Sequence, residues 1–149
     1  MTGIRYPSKR DRWLLILLWA SLALLGFGAA VVILSPEPPA SKALFTALIV
    51  AVGWLVVSIT AATWYELGPT DLLVRCGPFS WRVPLAAIRE VVPSRNPLSG
   101  PALSLDRLHV RYDGSRLGVL ISPEPRAAFL EELAARAGLA RDGDRLVRR

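Results

Sequence analysis

The sequence predicts an α+β membrane protein: a two-helix transmembrane hairpin, then a small antiparallel β domain closed by one C-terminal α-helix. Three observations carry this. The first half holds two long uncharged apolar runs, the chain then breaks into short segments punctuated by Gly, Pro and Asp, and one late segment has helical periodicity. At 149 residues the chain has room for one domain and an anchor, not two domains. Its 52% hydrophobic content and mean hydropathy of +0.39 exceed what a soluble core of this size needs. The excess lies in the first half, which points to lipid.

Trp13 to Leu34 contains no charged residue. At about 1.5 Å per residue this run reaches about 33 Å, enough to cross a hydrocarbon layer of about 30 Å. A second uncharged run opens at Ala43 and places the other span at 43–64. Between them, residues 35–42 carry Pro36, Pro38 and Pro39, which stop a helix and force a short reversal, so the spans are antiparallel neighbours. Gly26, Ala30, Ala47 and Ala51, spaced by four, offer small faces for close packing. The first run is too long for the apolar core of a signal peptide, about 7 to 15 residues. Both runs are apolar all round, which excludes amphipathic helices of a soluble bundle.

Basic residues resist translocation and so orient the hairpin. Four lie before the first span, Lys42 lies in the loop, and thirteen arginines follow the second span. Both termini are therefore expected in the cytoplasm, at the cell's inner membrane, with residues 1–12 a basic tail and 35–42 an extracytoplasmic loop. Trp13, Trp64 and Tyr65 fall where amphipathic rings favour the headgroup layer. Half of the net +6 charge belongs to the N-terminal tail, and no recognition motif accompanies the rest, which argues against nucleic acid.

The domain is expected over 65–138. Strands are predicted near Trp64–Leu67, Leu72–Cys76, Phe79–Val83, Arg89–Ser94, Arg107–Tyr112 and Leu117–Ser122, with turns at GPTD, CGPF and YDGSR. In RLHVRY, Leu108, Val110 and Tyr112 alternate with Arg107, His109 and Arg111, giving one apolar and one basic face. Phe129, Leu130, Leu133, Ala134 and Ala137 then share a helical face, with Pro123 and Pro125 at its start and Gly138 at its end. Such a stripe needs a partner, and the sheet is the one available. The last segment, 139–149, is polar and dense in charge and reads as a flexible tail.

The stretch from WYEL at Trp64 through NPLSGPALSLDRL to LISPEPRAAFLEEL resembles the bacterial pleckstrin-homology (PH)-like membrane proteins of the YyaB-like group. The resemblance covers about half the chain, essentially the whole domain after the hairpin. It implies a split β barrel, or a strongly bent sheet, plugged at one end by the helix. It implies no known reaction.

Catalytic patterns are weak. His109 is the single histidine and sits mid-strand, so a triad would rest on it alone. Cys76 ends a strand and reads as a small packed hydrophobe, and one cysteine allows no internal disulfide or zinc cluster. The glycines lack phosphate-loop spacing, and Glu131 and Glu132 read as a solvated helix surface. No cofactor or metal is expected. The long connection between Arg95 and Arg107 is the candidate binding segment, with Arg95, Asn96, Ser99, Ser104, Asp106 and Arg107 as polar contacts. The competing reading, which is favoured, has Ser104 and Asp106 bonding backbone amides and Arg107 bonding carbonyls to hold the loop itself. Arginines at 75, 82, 89, 95, 107, 111 and 116 raise contact with anionic lipid, tempered by a balance of only thirteen arginines to ten acidic residues after Tyr65. The function expected is a membrane-anchored interaction module binding a protein partner, a second copy or lipid. An accessory or enzymatic membrane protein with its site in 95–107 is the alternative.

Overall fold

The computed structural model describes residues 3–36, 38–95 and 103–148. In chain order it has strand β1 (Ile4–Pro7), helices α1 (Arg12–Leu34) and α2 (Pro39–Ala61), and strands β2 (Thr63–Leu67), β3 (Asp71–Cys76) and β4 (Phe79–Pro84). A 3-10 turn at Leu85–Ala87 leads to β5 (Ile88–Ser94), β6 (Arg107–Tyr112) and β7 (Val119–Ile121). Helix α3 (Arg126–Ala137) follows, then β8 (Ala140–Asp142) and β9 (Arg145–Val147). These strands pair antiparallel, in a four-stranded sheet ordered β1-β2-β3-β4 and a five-stranded sheet ordered β7-β6-β5-β9-β8.

Both α1 and α2 are 23 residues long and apolar enough to cross a membrane. No residue of α1 is buried within the protein, and α2 buries only Thr60, so the hairpin's apolar surface faces outward. The helix–helix contact is not built on the four small residues expected. Gly26, Ala30, Ala47 and Ala51 are exposed, and Gly53 instead approaches Leu22. The reversal is also shorter than 35–42. Pro39 is tolerated in the first turn of a helix, where its missing N–H costs nothing, so α2 starts there and Lys42 lies within it. The Lys42 ammonium donates to the Ile33 carbonyl at 2.8 Å, capping the C-terminal end of α1.

The alternating pattern is realised in β2 and β3 and in β6 from Leu108 onward. Tyr65, Leu67, Leu72, Val74 and Val83 of the first sheet face Ile88, Val91, Leu108, Val110 and Ile121 of the second, all buried. Phe129, Leu130 and Leu133 of α3 complete this core. Gly138 ends α3 in the left-handed conformation, at φ 64°, as its position suggested.

Two segments depart from expectation. Residues 4–7 are not tail but an edge strand, with Tyr6 paired to Tyr65 and buried. Residues 140–147 form a hairpin, turning at Gly143, whose Leu146 enters the core and whose β9 pairs with β5. In both, a single inward side chain, Tyr6 or Leu146, suffices, because a neighbouring strand supplies the hydrogen bonds.

Candidate functional site

A cluster of polar side chains and backbone bonds gathers on the end of β1 and the four residues between it and α1. Pro7 to Asp11 runs between two other parts of the chain and bonds to both. On one side Lys9 N donates to Ser122 O at 2.7 Å and Glu124 N donates to Pro7 O at 3.0 Å. On the other, Asp11 N donates to Leu103 O at 3.1 Å, and Leu105 N donates to the Asp11 carboxylate at 2.9 Å.

Beneath this segment lies a buried hydroxyl cluster. Ser8 Oγ shares hydrogen bonds with Tyr65 OH at 3.1 Å and Ser122 Oγ at 3.0 Å, and Ser122 N donates to Tyr65 OH at 3.1 Å. Burial pushes the Tyr65 phenol up, and its bonds with Ser8 and Ser122 partly offset this. Above the segment, Asp106 accepts from Lys9 Nζ at 2.8 Å and from Arg126 Nη1, while Arg126 also pairs with Asp144 at 3.3 Å. One carboxylate thus ties the segment before α1 to the first turn of α3.

The hydrogen bond from Lys9, and then the Arg126 charge, hold Asp106 below the usual carboxylate range. Its stabilisation is therefore complete above the unfolded-state pKa and is lost as pH falls through the lower folded value. Lys9 is raised, chiefly by the same bond, so its share is complete at neutral pH and is lost only as pH climbs through its folded value. Both side chains are about two-fifths exposed, which screens the pair toward the low end of the range of about 0.2–1 kcal/mol for surface pairs. Asp106→Asn should remove the part of the acid-induced stability loss that falls below about pH 4. Urea melts across pH 2.5–6 check this: the two proteins should converge at the acid end, and parallel profiles would refute the assignment.

Of the residues singled out in 95–107, Asn96 and Ser99 lie outside the described residues. Arg95 is exposed, one residue past the Ser94–Arg107 register pair. Ser104 is buried and its hydroxyl accepts from Asp106 N at 3.0 Å. Arg107, assigned by alternation to the open basic face of β6, is instead 5% exposed and donates from Nε to Ser104 O at 2.6 Å. Burial pushes its guanidinium down from the usual value. His109 Nε2 donates to Leu117 O at 2.7 Å. Among the described residues no three His, Cys, Asp or Glu gather as a metal site would require.

A second joint ties α2 to the domain. Thr63 Oγ1 donates to Ile59 O at 2.5 Å, and Gly77 N, in the β3–β4 turn, donates to Ala62 O at 3.1 Å. Gly77 has φ 56°, and a Cβ there would meet the Ile59 nitrogen at 2.9 Å, so only glycine lets the turn lie against the helix end.

The sequence of this two-sheet, one-helix unit matches the family model described as a bacterial PH domain over residues 63–137, from β2 to the end of α3. The chain belongs to the bacterial PH domain family. No curated protein and no solved structure matches it. PH domains are interaction modules, and here the matched unit begins two residues after α2. The strand before α1, the Pro7–Asp11 segment and the β8–β9 hairpin lie outside the matched residues of this PH domain. Sequence reasoning missed Ser8, Lys9 and Asp11 as site residues. Their one local signal was the alternation of Ile4 and Tyr6 with Arg5, too short to outweigh a basic flank.

Proposed function

We propose that this PH domain is a membrane-anchored interaction module. Helices α1 and α2 span the bilayer as a hairpin, both termini lie in the cytoplasm, and the domain rests on the inner leaflet. There it engages a protein partner or anionic lipid and carries out no reaction of its own. The carrying observation is that both apolar helices enter the domain through hydrogen-bonded joints: Pro7–Asp11 before α1, and Thr63 with Gly77 after α2. A domain joined this way cannot swing into the cytosol on a tether, so its binding surface works at a set height above the lipid. The basic flanks of the hairpin, Lys9 and Arg10 before α1, Arg12 at its first position and the arginines after α2, favour the cytoplasmic side.

Topology reporters fused after Pro38 and after Arg149 test the orientation. An external signal from the first and a cytoplasmic signal from the second are expected, and either one reversed would overturn it. Crosslinking in native membranes should recover a specific partner or oligomer; monomer alone would count against the interaction role.

A further inference from the structure

The β3–β4 hairpin carries two aromatic side chains that the core does not use. By register Phe79 lies opposite Cys76 and Trp81 opposite Val74, both buried, so the two rings sit on the core-facing side of the first sheet. They are nevertheless 51% and 40% exposed, with ring centroids 6.2 Å apart. Two adjacent open rings on an edge strand are an aggregation hazard unless something covers them.

The position of the hairpin identifies what covers them. Its turn lies backbone to backbone on the last turn of α2, with the Gly77 amide bonded to Ala62 O. The apolar part of α2, Ala43 to Ala61, spans about 28 Å, close to the hydrocarbon thickness of about 30 Å. Lys42 and the Ala61 end therefore mark the two hydrocarbon boundaries. Phe79 belongs to the sheet row of Thr63 and Cys76, immediately past that boundary. Trp81 is two residues further, at most about 7 Å along the strand. The headgroup layer on each side is about 5–7 Å deep, so both rings fall within it.

The alternate residues fit the same setting. Ser80 and Arg82 are exposed on the other face of β4, and on that same face the exposed Arg75 guanidinium lies 5.8 Å from the Trp64 ring, so the outer face of the sheet carries cations. Resting on the spanning arrangement proposed above, we infer that the tip of the β3–β4 hairpin, with Phe79 and Trp81, is seated in the lipid headgroup layer as a third membrane contact. The domain then stands on the bilayer at three points, its two helices and this aromatic edge, which fixes its rotation about the hairpin as well as its height.

An environment-sensitive fluorophore on Phe79→Cys, in a Cys76→Ala background, tests this in vesicles of phosphatidylcholine and phosphatidylglycerol. Val50→Cys, exposed on the middle of α2, reports on spanning independently. The Phe79 probe should show blue-shifted emission, lose most of its intensity to lipids spin-labelled near the headgroup, and resist aqueous iodide. Quenching by iodide, with the Val50 probe still quenched by lipid labels, would sink the inference and leave the spanning arrangement intact. Protection from both quenchers would mean that protein, such as a second copy, covers the rings, and would also sink it. Iodide reaching the Val50 probe would overturn the spanning arrangement and the inference with it. Trp81→Cys, read in the same way, decides the matter if circular dichroism shows that Phe79→Cys does not fold.

Discussion

Phe129→Ala is expected to lower the stability of the domain by about 4 kcal/mol, the usual cost of deleting a fully buried aromatic ring. Phe129 has no exposed surface and stands edge-on to the Tyr6 ring, with centroids 5.2 Å apart and planes at 89°. Its removal therefore takes away both the anchor of α3 and the partner of the strand that leads into α1. Small domains have only about 5–15 kcal/mol of net stability, so the loss is a large share of the total. Phe129→Leu, which keeps most of the volume, should lose much less. Equilibrium denaturation of the detergent-solubilised protein, followed by tryptophan fluorescence, measures both. A loss below about 1 kcal/mol for the alanine variant would mean that the Phe129 site collapses freely and that the core is not close-packed there.

Arg107→Ala is the second large effect, at about 2 kcal/mol, and it separates the two readings of the 95–107 segment. A guanidinium buried to this degree is held by its partners, and truncation leaves the Ser104 carbonyl short of a donor inside the protein. If the residue served a ligand instead, the variant would keep its thermal midpoint and lose only crosslinking to a partner. Lost stability, together with weakened protection of the Leu105 amide in hydrogen exchange, is the expected result, since Leu105 N bonds Asp11 in the same seam. An unchanged melting midpoint would return Arg107 to the list of binding residues.

Much of the fold was legible because it is written in neighbouring residues. The apolar runs, the alternation of β2, β3 and β6, the Cys76-Gly77-Pro78-Phe79 turn and the stripe of α3 each declare their conformation within a window of about ten residues. Where windows were short or mixed, the reading went astray. The β8–β9 hairpin contains Asp142-Gly143, the same turn signal as Asp113-Gly114, but its strands are three residues each and half charged, so composition pointed to a tail. Arg107 was misplaced for a different reason. Alternation assigns a face to a side chain and says nothing about what covers that face.

By itself, then, the sequence determined an apolar helical hairpin, a run of antiparallel strands and one amphipathic helix, and its resemblance pointed to the PH-like class. Only the tertiary structure decided that the segment before α1 belongs to the domain, that Asp106 turns toward it, and that Arg107 is buried against Ser104. The reason is separation along the chain. The bonds from Ser8 to Tyr65, from Ser8 to Ser122 and from Lys9 to Asp106 join residues 57, 114 and 97 positions apart. Local propensity carries no information over such distances, and burial of the shared core brings these groups within reach.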